Sequence, residues 1–222
     1  MKIENNTVSA QKQVQKHNYT EIFNNNGKIN VLFVGNSITR HEPKPEIGWP
    51  YDWGMAASKK ENDYVHVAVK LLEEKMGNIN YCITNCGAWE LNYFNDEILA
   101  DWEKARNFQA DIVIIRLGEN ILQAQAHFST CPIAPQYLKM VKYLACKPNA
   151  KIVTTGLFWK QDLIEAAIEQ VAKEQNFLFV PLRDLGEKNE NMAIGQFEHV
   201  GVAMHPNDEG MRKIAERIVA VL

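Results

Sequence analysis

The sequence predicts a three-layer α/β/α sandwich built on a five-stranded parallel sheet, and three observations carry that expectation. Short continuous apolar runs, typical of strands buried on both faces, alternate strictly with stretches of helical periodicity. The connections between them are short, so right-handed β-α-β crossovers leave few topologies, of which the flavodoxin-like order 2-1-3-4-5 is expected. Several of the apolar runs end on Gly, Asn or Ser, the residues of tight turns.

Residues 1–28 are polar, rich in Asn, Gln and Lys, and close on the turn signal Asn24-Asn-Asn-Gly27; they are expected as a surface arm, docked through Tyr19, Ile22 and Phe23. The first strand runs from Ile29 to Val34 and leads into Gly35-Asn36-Ser37. Pro43, Pro45, Gly48 and Pro50 forbid a regular helix between Arg40 and Lys60. Val65, Ala68, Val69, Leu72 and Met76 then mark a helix face that Gly77 stops.

The second strand is expected over Ile79–Cys86 and is followed by Gly87. Leu91, Phe94, Ile98 and Trp102 suggest the next helix, and Asp111–Leu117 the third strand, ending on Gly118-Glu119-Asn120. A helix opened by Pro135 carries Leu138, Val141 and Leu144. Lys151–Phe158 and Phe177–Leu182 supply the fourth and fifth strands, with Ile164, Ala167, Ile168 and Val171 on the helix between them. The final helix is expected to begin at Pro206, with Met211, Ile214, Ala215 and Ile218 on its buried face.

At 222 residues, with no Pro/Gly/Ser-rich linker, the chain suits one core, placed at 29–222. Its 24 basic and 27 acidic side chains give a net charge of −3, which provides no field for a nucleic-acid backbone or an anionic membrane. No run approaches the ~18 apolar residues of a membrane span, and no leader-like run opens the chain. The default location is the cytoplasm; a secreted or periplasmic protein already stripped of its signal would read the same. Cys82, Cys86, Cys131 and Cys146 form no C-x-x-C pair and are expected as free thiols.

In an open parallel sheet the loops leaving the carboxyl ends of the strands share one edge, where ligands bind. That edge would gather Ser37, Gly87, Asn120 and, at the mouth of the last helix, His205. Acyl transfer needs those parts: a hydroxyl nucleophile, an imidazole base, and donors for the charge that develops on oxygen. The Ser37 and Gly87 N–H groups and the Asn120 amide could form that oxyanion hole.

Gly35-Asn36-Ser37, Asn85-Cys86-Gly87, Gly118-Glu119-Asn120 and His205-Pro206-Asn207 resemble, in order, the four blocks of the SGNH (GDSL-type) hydrolases. The resemblance covers 29–222 and implies a single hydrolase domain with Ser37 as nucleophile, His205 as base, and Ser37, Gly87 and Asn120 in the oxyanion hole. It implies neither a metal nor an organic cofactor. The family usually carries an Asp three residues before the His, where this chain has Val202. Glu198 is the candidate acid to orient the imidazole in its place, and a backbone carbonyl of the same loop is the alternative.

The other motifs read more plainly. His41, His66, His127 and His199 lack paired metal-ligand spacing. Arg116 interrupts the third strand and requires a partner, with Glu119 and Glu90 the nearest candidates. Asp208 and Glu209 suit the first turn of the last helix. Trp49, Tyr51, Trp53, Trp89 and Trp159 are divided between core packing and the mouth of the site, and they favour a short acyl ester, such as an O-acetylated saccharide, over a long lipid chain. The expected function is therefore a serine esterase acting on a small-molecule or saccharide ester. Alternatives on the same site are a thioesterase, a lysophospholipase, an acyltransferase, or a non-catalytic carbohydrate-binding module. A phosphate or flavin binder is disfavoured by the lack of a P-loop lysine or Gly-rich dinucleotide loop.

Overall fold

The structure, a computed structural model, describes residues 18–122, 126 and 131–222. Its strands are β1 (Tyr19–Phe23), β2 (Ile29–Gly35), β3 (Ile79–Asn85), β4 (Ile112–Arg116), β5 (Lys151–Thr155) and β6 (Leu178–Val180). The helices are α1 (Tyr64–Met76), α2 (Gly87–Asn92), α3 (Glu103–Asn107), α4 (Ile133–Leu144), α5 (Asp162–Gln175), α6 (Arg183–Gly186), α7 (Val200–Ala203) and α8 (Asp208–Ala220). Among these residues no helix is long and apolar enough to cross a membrane.

The strands form one mixed sheet in the order β1-β3-β2-β4-β5-β6. This corrects the five-stranded, all-parallel expectation, because Tyr19–Phe23 is not arm but an edge strand running antiparallel to β3. Its sequence alternates only weakly, yet Tyr19 and Phe23 pack on the core, and Phe23 stacks on Tyr81 with centroids 4.5 Å apart. The remainder of the expected arm, 1–17, lies outside the described residues.

Side chains that alternate along β2 divide the interior in two. Val31 and Phe33 meet Val65, Ala68 and Leu72 of α1 and Met211, Ile214 and Ile218 of α8. Leu32 and Val34 face the other way, toward Tyr137, Met140 and Val141 of α4 and Ile164 and Ile168 of α5. Helices therefore cover both faces, and a strand desolvated on each side must be apolar throughout.

Local chemistry shifts several boundaries. The helix expected along Leu91–Trp102 is broken: α2 ends at Asn92, a 3₁₀ segment follows over Asp96–Trp102, and the Asn95 side chain accepts from the Glu97 N–H at 3.1 Å. An Asn that bonds the backbone at a helix entrance competes with continuing the helix before it. Likewise α8 starts at Asp208 rather than Pro206, since Asn207 caps it by accepting from the Gly210 N–H at 2.9 Å, while Pro206 bridges to Met192. Helix α4 begins at Ile133, behind Pro132.

Register brings the strand ends level, for Gly35 lies opposite Asn85 on one side and Arg116 on the other. Ser37, Gly87 and Gly118 each stand two residues beyond that line, so the loops carrying the chemistry start from one edge. Gly35 is required where the chain turns: a Cβ there would meet the Thr39 hydroxyl oxygen at 1.8 Å and the Arg116 carbonyl oxygen at 2.8 Å. Gly35→Ala is therefore expected to destabilise the fold by about 1–3 kcal/mol, the usual consequence of overpacking a filled site. Urea unfolding reads this directly, and an unshifted midpoint would contradict it.

Candidate active site

Ser37 is half-buried in a stretch whose neighbours from Val31 to Arg40 are all buried, so the turn presents its side chain alone. The turn is fixed by Thr39 and Arg40 N–H groups, both donated to the Asn36 carbonyl at 3.0 Å, and by the Met55 N–H donated to the Ser37 carbonyl at 2.9 Å. The segment after Ser37 is anchored in turn by Asp208, whose carboxylate accepts from the Ser58 N–H at 2.8 Å and from the Ser58 hydroxyl at 2.6 Å.

His205 reaches Ser37 from across the sheet edge, with Nε2 2.8 Å from Oγ. Its other nitrogen, Nδ1, lies 2.6 Å from the Gly201 carbonyl oxygen. A carbonyl only accepts, so Nδ1 carries the hydrogen, and in the neutral ring Nε2 is left to accept the Ser37 hydroxyl proton. Helix α7 brings this about: it turns the chain so that the Gly201 carbonyl faces the ring four residues later. His199 caps α7, its Nδ1 accepting from the Val202 N–H at 3.3 Å.

The ring is 8% exposed, and Trp159 stands edge-on to it at a centroid distance of 4.9 Å. Burial above all, with smaller contributions from His41, Arg116 and His199, lowers the His205 pKa to about 3, against the Gly201 hydrogen bond, which raises it. The imidazole is thus neutral throughout the ordinary pH range.

Glu198, the expected candidate for the orienting acid, does not take that place. It is exposed, while the Gly201 carbonyl occupies the position beside Nδ1. Val202, standing where an Asp was expected from the family pattern, is fully buried with Trp49, Met55 and Ala193. The acid has been exchanged for a packing residue.

Gly87 begins α2, and its N–H is donated to the Asn85 side-chain oxygen at 2.8 Å. Asn120 directs its side-chain nitrogen to Glu90 Oε2, at 2.5 Å, and its backbone N–H to Glu90 Oε1, at 3.2 Å. Glu90 Oε1 also accepts from the Gly118 N–H at 2.6 Å, in a turn where Gly118 holds φ at 139°.

Beneath Ser37 lies a polar network that the sequence reading had only in fragments. Arg116 is 0% exposed and donates through its two terminal nitrogens to Glu119 and to the Asn36 side-chain oxygen. The Asn36 amide donates to Glu119 Oε2 at 2.7 Å and Glu90 Oε1 at 3.0 Å. Asn36, the residue next to Ser37, is therefore held by three side chains, one from β4, one from the loop after it and one from α2. Arg116 signalled this, since a guanidinium in a buried strand needs an acid: of the two expected partners it bonds Glu119, whereas Glu90 accepts from Asn36, Gly118 and Asn120 instead, and the part of Asn36 had no sequence signal.

The remaining candidates are peripheral. His66 pairs with Asp63 at 2.8 Å, and His41 Nδ1 bonds the Glu42 carbonyl at 2.7 Å. His127 lies outside the described residues. Glu209 pairs with Arg212 and Lys213. All four cysteines are free. Trp49 and Trp89 belong to the core, whereas Tyr51, 41% exposed, stacks on Trp53 at 4.3 Å.

Comparison with known proteins gives this geometry its context. Residues 33–213 match the GDSL-like Lipase/Acylhydrolase family. No curated protein matches the chain. Among solved structures, the acetyl xylan esterase AlAXEase is 18% identical, with a TM-score of 0.53 over 87% of this chain and 100% of its own. A protein described as a GDSL-like lipase from Bacteroides uniformis ATCC 8492 is 13% identical, with a TM-score of 0.58 over 88% of this chain and 96% of that one. A two-domain esterase (CEX) active on acetylated mannans is 16% identical, with a TM-score of 0.54 over 86% of this chain and 47% of that one. At such identities the structural likeness is one of fold, and the assignment rests on the family match, which spans Ser37, Gly87, Asn120 and His205. The chain belongs to the GDSL-like lipase/acylhydrolase family of the SGNH hydrolases, enzymes that cleave esters.

Proposed function

We propose that this chain is a serine esterase that removes acetyl or another short acyl group from an oxygen, with O-acylated saccharides as its substrate class. The observation that carries this reading is the 2.8 Å contact between Ser37 Oγ and His205 Nε2, on a ring whose far nitrogen is already occupied by the Gly201 carbonyl.

The Ser37 hydroxyl proton passes to Nε2 as Oγ attacks the ester carbonyl carbon, and the carbonyl π pair moves onto oxygen. The Ser37 N–H and the second Asn120 Nδ2 hydrogen receive that oxyanion; one such donor is typically worth about 10²- to 10³-fold in rate. Gly87 adds a third donor when its N–H leaves the Asn85 oxygen. The tetrahedral intermediate collapses, the alcohol departs with the proton from Nε2, and an acyl-Ser37 ester remains. Water then attacks that ester with His205 again taking its proton, the acid leaves, and Ser37 Oγ recovers its hydrogen.

A dyad without a carboxylate still has a correctly held tautomer, which is the orienting half of what the acid does in a triad. Support for the substrate class comes from Trp159 against the imidazole, the Tyr51–Trp53 stack, and two structural neighbours described as acting on acetylated polysaccharides. A non-catalytic binding module on the same cleft would not need a serine in hydrogen-bond contact with a neutral imidazole. Thioesterase, lysophospholipase and acyltransferase activities are separated by acyl-chain preference and by competition from acceptor alcohols.

Ser37→Ala is expected to abolish both p-nitrophenyl acetate hydrolysis and labelling by a fluorophosphonate probe; full activity in that variant would sink the proposal. Glu198→Ala is expected to keep kcat/KM within about twofold of the parent, as for an exposed side chain away from the chemistry. A loss of tenfold or more would show that Glu198, and not the Gly201 carbonyl, orients the base.

A further inference from the structure

The Asn120 amide is held by a residue of α2. Glu90, 1% exposed on α2, accepts at Oε1 from the Gly118 N–H, the Asn120 N–H and the Asn36 amide, and at Oε2 from the Asn120 amide. Every partner is a nitrogen donor. Three donors at Oε1 and the Asn120 amide at Oε2 form a set that suits an ionised Glu90, which only accepts. Among the described residues no cation pairs with it, and Arg116 is committed to Glu119 and Asn36.

We propose that Glu90 is a positioning residue for acyl transfer: its carboxylate fixes the Gly118–Asn120 turn and holds the Asn120 amide with one Nδ2 hydrogen turned to the ester oxygen at Ser37. The inference rests on the reading of Asn120 as an oxyanion donor. When Glu90 takes a proton its new O–H needs an acceptor, the Asn120 amide turns its Oδ1 toward it, and the donor facing the substrate is lost.

The electrostatics make this change accessible. Burial first, and then the neighbouring Glu119, raise the Glu90 pKa to about 7, against the donor bonds from Asn120, Asn36 and Gly118. The other ionisable neighbours are Arg116 on β4, tied up as described, and Cys86 at the end of β3, whose thiol burial keeps neutral. His205, lowered to about 3, does not titrate in this range. A limb of activity near neutrality, rising with pH, is therefore expected, with Glu90 rather than His205 as its source.

The test is a cycle of Glu90→Gln, Asn120→Ala and the double variant, with Ser37→Ala as the blank and kcat for p-nitrophenyl acetate followed from about pH 5 to 9. Glu90→Gln is expected to lower kcat by about tenfold or more, to leave KM within about threefold, and to flatten the limb near neutrality. In the Asn120→Ala background the same change should lower kcat by less than about twofold. Equal losses in both backgrounds, or an unaltered limb, would overturn the proposal and leave Glu90 a structural residue. A costly Asn120→Ala beside a harmless Glu90→Gln would overturn it while sparing the oxyanion reading. A harmless Asn120→Ala would remove both and leave Ser37 untouched. Should Glu90→Gln not fold, NMR of the parent protein decides the matter. The Glu90 carboxyl carbon and the Asn120 side-chain amide should shift with one midpoint, and an Asn120 amide indifferent to that titration would overturn the proposal.

Discussion

Arg116 ends β4, the strand beside β2, with no solvent to share its charge, and the loops of the site are arranged around it. A buried guanidinium without acceptors would be prohibitive, so Glu119 is drawn under the edge from the loop that also presents Asn120. Asn36 takes one terminal nitrogen, with its oxygen toward the cation and its nitrogen toward the two carboxyl groups, while Arg116 Nε is left buried without a partner among the described residues. Because Asn36 is the residue before Ser37, the orientation of the nucleophile follows from a charge placed one strand away. The network thus ties the first, second and third loops of the edge into one rigid piece, the preorganisation that electrostatic catalysis depends on.

The proposed base is built on a different rule. His205 has a carbonyl where an acid was expected, and a carbonyl supplies a dipole where an acid would supply a full charge. The tautomer is secured, but the imidazolium formed during proton transfer gains less stabilisation than it would beside an anion. Burial and the positive neighbours act in the same direction, holding the ring neutral and making it a weak proton acceptor. A weak base demands more of the opposite side of the reaction, where charge accumulates on oxygen. The investment in holding Asn120 is intelligible on those terms.

How much of this was legible in the sequence depended on whether a feature is local. Strand β2 and its terminal Gly35-Asn36-Ser37 could be read because a doubly buried strand is apolar at every position and its exit needs a glycine. His205 could be placed because the last amphipathic helix gives it a fixed position. Strand β1 could not, since an edge strand such as Tyr-Thr-Glu-Ile-Phe meets water along one side and carries little periodicity. Glu198 was proposed from proximity along the chain, but α7 intervenes and turns a carbonyl inward instead of a side chain. The bonds joining Asn36 to Glu90, and Glu90 to Asn120, span 54 and 30 residues, and polar contacts of that reach leave no trace in hydrophobic pattern.

The buried network holds two carboxyl groups and one guanidinium, and the guanidinium bonds Glu119 but not Glu90. Burial and the neighbouring Glu119 raise the pKa of Glu90, the carboxyl without a cation of its own in this network. At the ring above, Arg116 is among the groups that lower the His205 pKa, and the ion pair with Glu119 answers part of that charge. The oxyanion requires the reverse, a donor close by and little negative charge behind it. The structure meets the two demands by interposing neutral amides, Asn36 and Asn120, so that the carboxylates orient N–H groups toward the reacting atoms without facing those atoms themselves.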